Sequence, residues 1–216
     1  MGIALLFKNN LAGLSPYYRA LNDLVSFSGE KLILSSGYTS VQDNTLFNNI
    51  NRGFRNEHNS ELITIAGNFK PYCSCTKSSN QGCHFDKYGD FILSLNFQCL
   101  SNQKRFLIDR YGNWHAKISM KIRNNFPIAM VIGSTNLSRT ALGLIPGRGS
   151  HEADVLIWRD SYCSFTNSFS DLKEGDYWRF SPYYQGQEEE LLTNQYKYLQ
   201  DYINNNQKHT NALELY

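Results

Sequence analysis

The chain has 216 residues, carries 21 Lys and Arg against 19 Asp and Glu for a formal charge of +2, and is rich in rings, with 14 Tyr and 13 Phe. That length holds one domain with a substantial core, and the aromatic content excludes a disordered chain. A pI near 8.2 permits a local basic patch for nucleic acid without demanding one, and no apolar run approaches the ~20 residues a membrane helix needs.

Ile3-Ala4-Leu5-Leu6-Phe7 is too short for a signal-peptide core and lacks a basic leader, and Leu6 stands where a myristoylation signal has Ser or Thr. The expectation is a soluble, cytoplasmic protein with no membrane contact. Ser15-Pro16, a capping hydroxyl before a proline, predicts a helix over residues 16–27, with Tyr17, Leu21, Leu24 and Val25 on one face. Residues 31–36 read as a strand ending in small residues at Gly37. Asp43 caps a second predicted helix carrying Leu46, Phe47, Ile50 and Phe54, and residues 61–66 read as the next strand. Strand, helix and strand in that order imply a parallel pair joined by a crossover.

Five cysteines are an odd count, which argues against a disulfide framework. Cys73, Cys75, Cys83 and His84 cluster in a loop-like segment and are the candidate zinc ligands. Cys73 and Cys75 have one residue between them rather than the usual two, so free thiols in a surface insertion at about 70–85 are the competing reading. From Asp86, the spacing of Tyr88, Ile92, Leu95 and Cys99 predicts a helix, and residues 105–108 a strand.

The chemistry lies between residues 113 and 158. Trp114, Ala116, Ile118, Met120 and Ile122 share one parity, with His115, Lys117, Ser119 and Lys121 on the other, so His115 and Lys117 point from the same strand face. Asn124-Asn125-Phe126-Pro127 is a turn cluster, and residues 128–132 read as a buried strand returning beside the first. That strand ends at Gly133-Ser134-Thr135-Asn136, where Ser134 or Asn136 is expected to cap a helix beginning near Leu137 and so to create an anion site at its N-terminus. A glycine-containing loop, 146–149, then leads through His151-Glu152 into a strand over 153–158. A last helix is expected over 188–204, with Leu192, Tyr196, Leu199 and Ile203 on one face, docked or partner-binding, before a polar tail.

An imidazole beside an ammonium, a small-residue turn with two polar side chains and a carboxylate describe a phosphate pocket with a nucleophile. His115-x-Lys117 with Gly133-Ser134-x-Asn136 and Glu152 resembles the motif of the phospholipase D superfamily, and in particular its metal-independent restriction endonucleases. The Asp that many members carry after the Lys is absent, since Met120-Lys121-Ile122-Arg123 stands there.

The resemblance implies an α/β sandwich with a mixed central sheet and helices on both faces, over residues 1–180, with a helix and tail over 181–216. It implies His115 as nucleophile, Lys117 and Asn136 on the phosphoryl oxygens, Ser134 bonding in the pocket and Glu152 holding an imidazole, with no cofactor. Lys121, Arg123, Arg139 and Arg148 are the candidate contacts to a DNA backbone, each singly also readable as a solvated charge. His151 reads as structural or as a substrate contact. No second His-x-Lys occurs, so a homodimer with the active site at its interface is expected. A lipid phosphodiesterase and a non-catalytic nucleic-acid-binding module are the competing readings.

Overall fold

The computed structural model describes residues 2–8, 13–67, 84–108, 114–145, 148, 151–165, 176–181 and 187–205, with the backbone alone at 84–86, 176–181 and 187–189. Among these, eight strands form one mixed sheet: β1 (Gly2–Lys8), β2 (Lys31–Ser36), β3 (Glu61–Ala66), β4 (Gln103–Ile108), β5 (Lys117–Arg123), β6 (Phe126–Gly133), β7 (Glu152–Trp158) and β8 (Asp176–Ser181). Their order is β4-β3-β2-β5-β6-β7-β1-β8. β2, β3 and β4 run parallel, and every other pairing is antiparallel.

Local chemistry explains the helices. In α1 (Pro16–Ser26) the Ser15 hydroxyl accepts the Tyr18 N–H at 3.0 Å with proline in the first turn, and in α2 (Asn44–Phe54) the Asp43 carboxylate accepts from Thr45 and Leu46. A side-chain acceptor at this position satisfies amide donors that the first helical turn cannot. α1, α2 and α3 (His84–Gln98) send Leu21, Leu24, Leu46, Phe47, Phe91 and Leu95 into a core on one face of the sheet. α4 (Gln187–Asn205) covers the other with Leu192, Tyr196, Leu199 and Ile203. The layered arrangement inferred from the sequence is therefore present, and the last helix is docked.

β5 alternates as its parity requires. Ile118, Met120 and Ile122 join the α4 core, whereas Ser119 turns to the other face and hydrogen-bonds the buried Tyr17 hydroxyl at 3.0 Å. The β5–β6 hairpin closes through Asn124 and Asn125 at φ 53 and 63, the left-handed pair of a two-residue turn, and Glu30 accepts both amide protons.

Two sequence expectations are corrected or extended. β1 was visible only as a short apolar run; it is a full strand between β7 and β8, and β8 itself carried no signal. No helix starts near Leu137. Leu137 instead bridges Thr39, the Leu137 carbonyl accepts the Ser40 amide, and residues 138–143 form turns that Ser138 Oγ caps at Ala141 N. Pinning to the loop after β2 holds Leu137 extended, and Gly143 at φ +76 ends the turns. The cysteine and histidine cluster Cys73, Cys75, Cys83 and His84 lies outside the residues whose side chains are described.

Candidate active site

Strand register assembles the site. Lys117 stands opposite Gly133, and Gly133 opposite Asp154, so the start of β5, the end of β6 and the start of β7 meet at one end of the sheet. His115 precedes β5 by two residues and is exposed. Its neighbours on both sides are fixed: Trp114 is buried, lies 4.3 Å from the Tyr202 ring and donates its indole N–H to Ser35 Oγ at 2.7 Å, while Ser35 Oγ donates to the Ala116 carbonyl at 3.0 Å. An imidazole between two anchored residues is held in place through its backbone.

Gly37 packs against that imidazole. A Cβ at residue 37 would stand 3.4 Å from His115 Cα and 3.5 Å from Nδ1. The Lys117 ammonium is 3.1 Å from His115 Nδ1 and donates to the His115 carbonyl at 2.7 Å. Burial lowers the Lys117 pKa, and the Glu152 carboxylate opposes that shift. An ammonium has no lone pair, so opposite Lys117 in its charged form Nδ1 is the acceptor and a neutral ring carries its proton on Nε2.

On the next two strands, the Ser134 hydroxyl donates to the Glu152 carboxylate and accepts the Ala153 amide at 3.0 Å, while the Ser134 amide donates to the Ala153 carbonyl. Behind them Asp154 is buried and accepts both the amide (3.1 Å) and the hydroxyl (2.6 Å) of Thr135. Burial pushes the Asp154 carboxyl up to about 6, against the Thr135 hydrogen bonds and with the Glu152 charge adding to the rise. Gly133 allows this approach, because a Cβ there would lie 2.2 Å from Asp154 Oδ1.

Asn136 closes the site from the β2 side. Its Oδ1 lies 3.3 Å from Ser36 Oγ and accepts the Tyr38 amide at 3.2 Å, which leaves its amide group to act toward a ligand as a donor. Ser36, itself buried, also accepts the Leu137 amide at 3.1 Å and donates to the Tyr38 carbonyl at 2.5 Å. His115, Lys117, Ser134, Asn136 and Glu152 are thus gathered at one end of the sheet.

The predicted basic rim is only partly there. Lys121 is corrected: it is 0% exposed, with its ammonium 4.1 Å from the centre of the Phe54 ring, and cannot reach a phosphate. Arg123 sits six residues beyond Lys117 on β5, about 20 Å away at ~3.3 Å per residue, beside Tyr162 at the opposite end of the sheet. Arg139, in the turns after Asn136, and Arg148 are exposed. His151 is exposed next to Glu152.

The expected anion site at a helix N-terminus does not form, since residue 137 begins no helix. Among the described residues, no three His, Cys, Asp or Glu side chains come together as metal ligands would. The sequence reading missed Ser36, Tyr38, Thr135 and Asp154. A signal for the first two was present: Ser35-Ser36-Gly37 ends a parallel strand, the place where open α/β sheets bind ligands.

No family model matches the chain, and no curated protein does. Solved structures do. Phosphatidylserine synthase of Haemophilus influenzae Rd KW20 is similar over 93% of this chain and 46% of its own, at 15% identity and a TM-score of 0.50. The phospholipase D family member Nuc of Salmonella typhimurium is similar over 74% of this chain and 84% of its own, at 13% identity and a TM-score of 0.43. Yeast tyrosyl-DNA phosphodiesterase is similar over 76% of this chain and 47% of its own, at 13% and 0.42. The chain spans less than half the length of the synthase and of the yeast enzyme. At these identities the likeness is one of architecture: this chain shares its fold with the phosphatidylserine synthase.

Proposed function

We infer that the chain is a metal-independent phosphodiesterase whose substrate is DNA, an endonuclease of restriction type working through a phosphohistidine. The observation that carries this reading is the convergence of His115 and Lys117 with Ser134, Asn136 and Glu152 at one end of the sheet. A nucleophile, cationic and amide donors for the equatorial oxygens and a carboxylate are what displacement at phosphorus needs.

A phosphate entering the site draws the Lys117 ammonium off Nδ1. The ring then carries its proton on Nδ1, where Glu152 accepts it, and Nε2 has the free lone pair. Nε2 attacks phosphorus, the bond to the leaving oxygen breaks, and that oxygen takes a proton from a second imidazolium. Water, deprotonated by the second imidazole, then attacks phosphorus, breaks its bond to His115 Nε2, leaves a strand ending in a phosphomonoester and restores both rings.

This chain holds a single His-x-Lys, so the second imidazole is supplied by another copy, and the active site is shared across a twofold axis. Arg139 and Arg148 are the remaining candidates for backbone contact. The architectural likeness to phosphatidylserine synthase keeps a lipid phosphodiester as the alternative substrate.

The test is plasmid cleavage in excess chelator, beside choline release from phosphatidylcholine vesicles. Cleavage that disappears in His115→Ala while DNA binding persists, with an alkaline quench of the parent chain recovering phosphohistidine, supports the reading. Choline release without cleavage transfers it to lipid, and DNA retardation without cleavage by the parent chain leaves a binding module.

A further inference from the structure

We propose that Tyr38 and Lys87 form a nucleotide subsite beside the phosphate pocket, in which the Tyr38 ring is the platform for a nucleobase next to the scissile phosphate and the Lys87 ammonium meets a neighbouring phosphate. The proposal rests on the phosphodiesterase reading and narrows it to a substrate that presents a planar base.

The position of Tyr38 is set by the residues around it. Gly37 lies against the His115 imidazole, so the next side chain stands at the edge of the site. Its amide donates to Asn136 Oδ1 and its carbonyl accepts from Ser36 Oγ, while Thr39 and Ser40 continue the attachment to Leu137. A ring on a backbone anchored at every residue loses little freedom on stacking, which favours binding.

Tyr38 is half-buried, and the Lys87 ammonium, on the first turns of α3, lies 5.8 Å from its ring centre, within cation–π range. An aromatic face joined to a mobile cation is how single-stranded nucleic acid is held without sequence readout, the face taking a base and the cation a backbone phosphate. The groups lining this side of the site are small or polar, namely Ser36, Gly37, Asn136 and Lys87. That lining, among the described residues, suits a base and a phosphate better than an acyl chain.

The experiment uses the full chain in the His115→Ala background, so that bound DNA stays intact, and reads fluorescence anisotropy with a short labelled DNA strand and with the same strand made abasic. Tyr38→Ala is expected to weaken binding of the base-bearing strand about 5- to 150-fold, the span that loss of one stacked base covers, and to weaken the abasic strand far less. Tyr38→Phe restores the difference between the strands, because the ring and not its hydroxyl does the stacking. Lys87→Ala weakens both strands alike and lowers the salt slope by about one.

Equal weakening of both strands by Tyr38→Ala, or none, overturns the subsite. So does phosphatidylcholine vesicle binding that depends on Tyr38 more than strand binding does. Hydrolysis of bis(p-nitrophenyl) phosphate by the parent chain separates the two failures. If the parent hydrolyses it and Tyr38 shows no base dependence, the subsite alone falls. If it hydrolyses nothing while the base dependence holds, the phosphodiesterase reading falls and the subsite stands.

Discussion

Replacing Lys121 with methionine should stabilise this protein. The ammonium is fully buried beneath α1 and α2, has no hydrogen-bond acceptor, and faces the Phe54 ring together with Gly53. Burial pushes its pKa down to about 7 from 10.5, against the pull of Glu57 and Glu30. A base whose folded pKa lies below its unfolded one costs stability wherever the unfolded chain is protonated. The cost is full below pH 7 and shrinks as pH rises toward 10.5, because the unfolded state then binds more protons than the folded one. At pH 7, where the folded amine is about half protonated, the shift corresponds to roughly 4 kcal/mol.

Methionine fills nearly the same volume and carries no charge, so Lys121→Met should recover up to about 4 kcal/mol at pH 7. Between pH 7 and 9 the parent should gain about 1 kcal/mol per pH unit from this group, and the variant should lack that slope. Urea midpoints at pH 6, 7, 8 and 9 measure both effects in one series. A variant that is less stable than the parent, or one that keeps the same pH slope, would show that the amine has a partner or a water-filled path and would refute the reasoning. Plasmid binding by the variant should match that of the parent, since Lys121 reaches no surface.

Asp154→Asn should preserve both contacts to Thr135, because the side-chain carbonyl can accept the amide and the NH2 group can donate to the hydroxyl. The Asp154 carboxyl is raised to about 6. Its folded form therefore holds a proton that the unfolded chain has lost between pH 4 and 6, the parent loses stability as pH rises through that window, and the variant should not, by about 3 kcal/mol in total on thermal or urea melts. Gly133→Ala should cost at least about 2 kcal/mol and displace the Ser134-to-Asn136 turn, seen as lost activity together with a lowered urea midpoint, because the new Cβ meets Asp154 Oδ1 at 2.2 Å. Mixing parent and His115→Ala chains in equal amounts should leave roughly a quarter of the cleavage activity if each centre needs two histidines, and about a half if each chain works alone, as random pairing in a twofold dimer requires. The second result, or cleavage by a monomer, refutes the shared site.

The sequence by itself determined what depends on neighbours a few residues apart. Ser15-Pro16 and Asp43 announced their helices because a capping side chain reaches only the next turn, and the parity of Trp114 to Ile122 announced β5 because successive side chains alternate across a strand. His115, Lys117, Ser134, Asn136 and Glu152 were legible as a set for the same reason, each pair lying on one element or at its end. Tertiary structure alone decided the partners. Ser36 and Asn136 are 100 residues apart and Ser35 and Trp114 are 79 apart, so no local pattern could show that the end of β2 anchors Asn136 and Trp114.

The same limit applies to charge. Lys121 has the parity of Lys117, but α1 and α2 cover that face two turns of pleat further on, and only their packing separates a buried amine from an exposed one. The missing helix at Leu137 has a related cause. Serine and asparagine favour helix caps and turns alike, and what settles the choice here is the hydrogen bonding of Ser36, Tyr38 and Ser40 to Asn136 and Leu137 across the sheet end. β1 found its place between β7 and β8 through edges about 150 and 170 residues distant in the chain, a pairing set by backbone hydrogen bonds, which carry no side-chain signature to read.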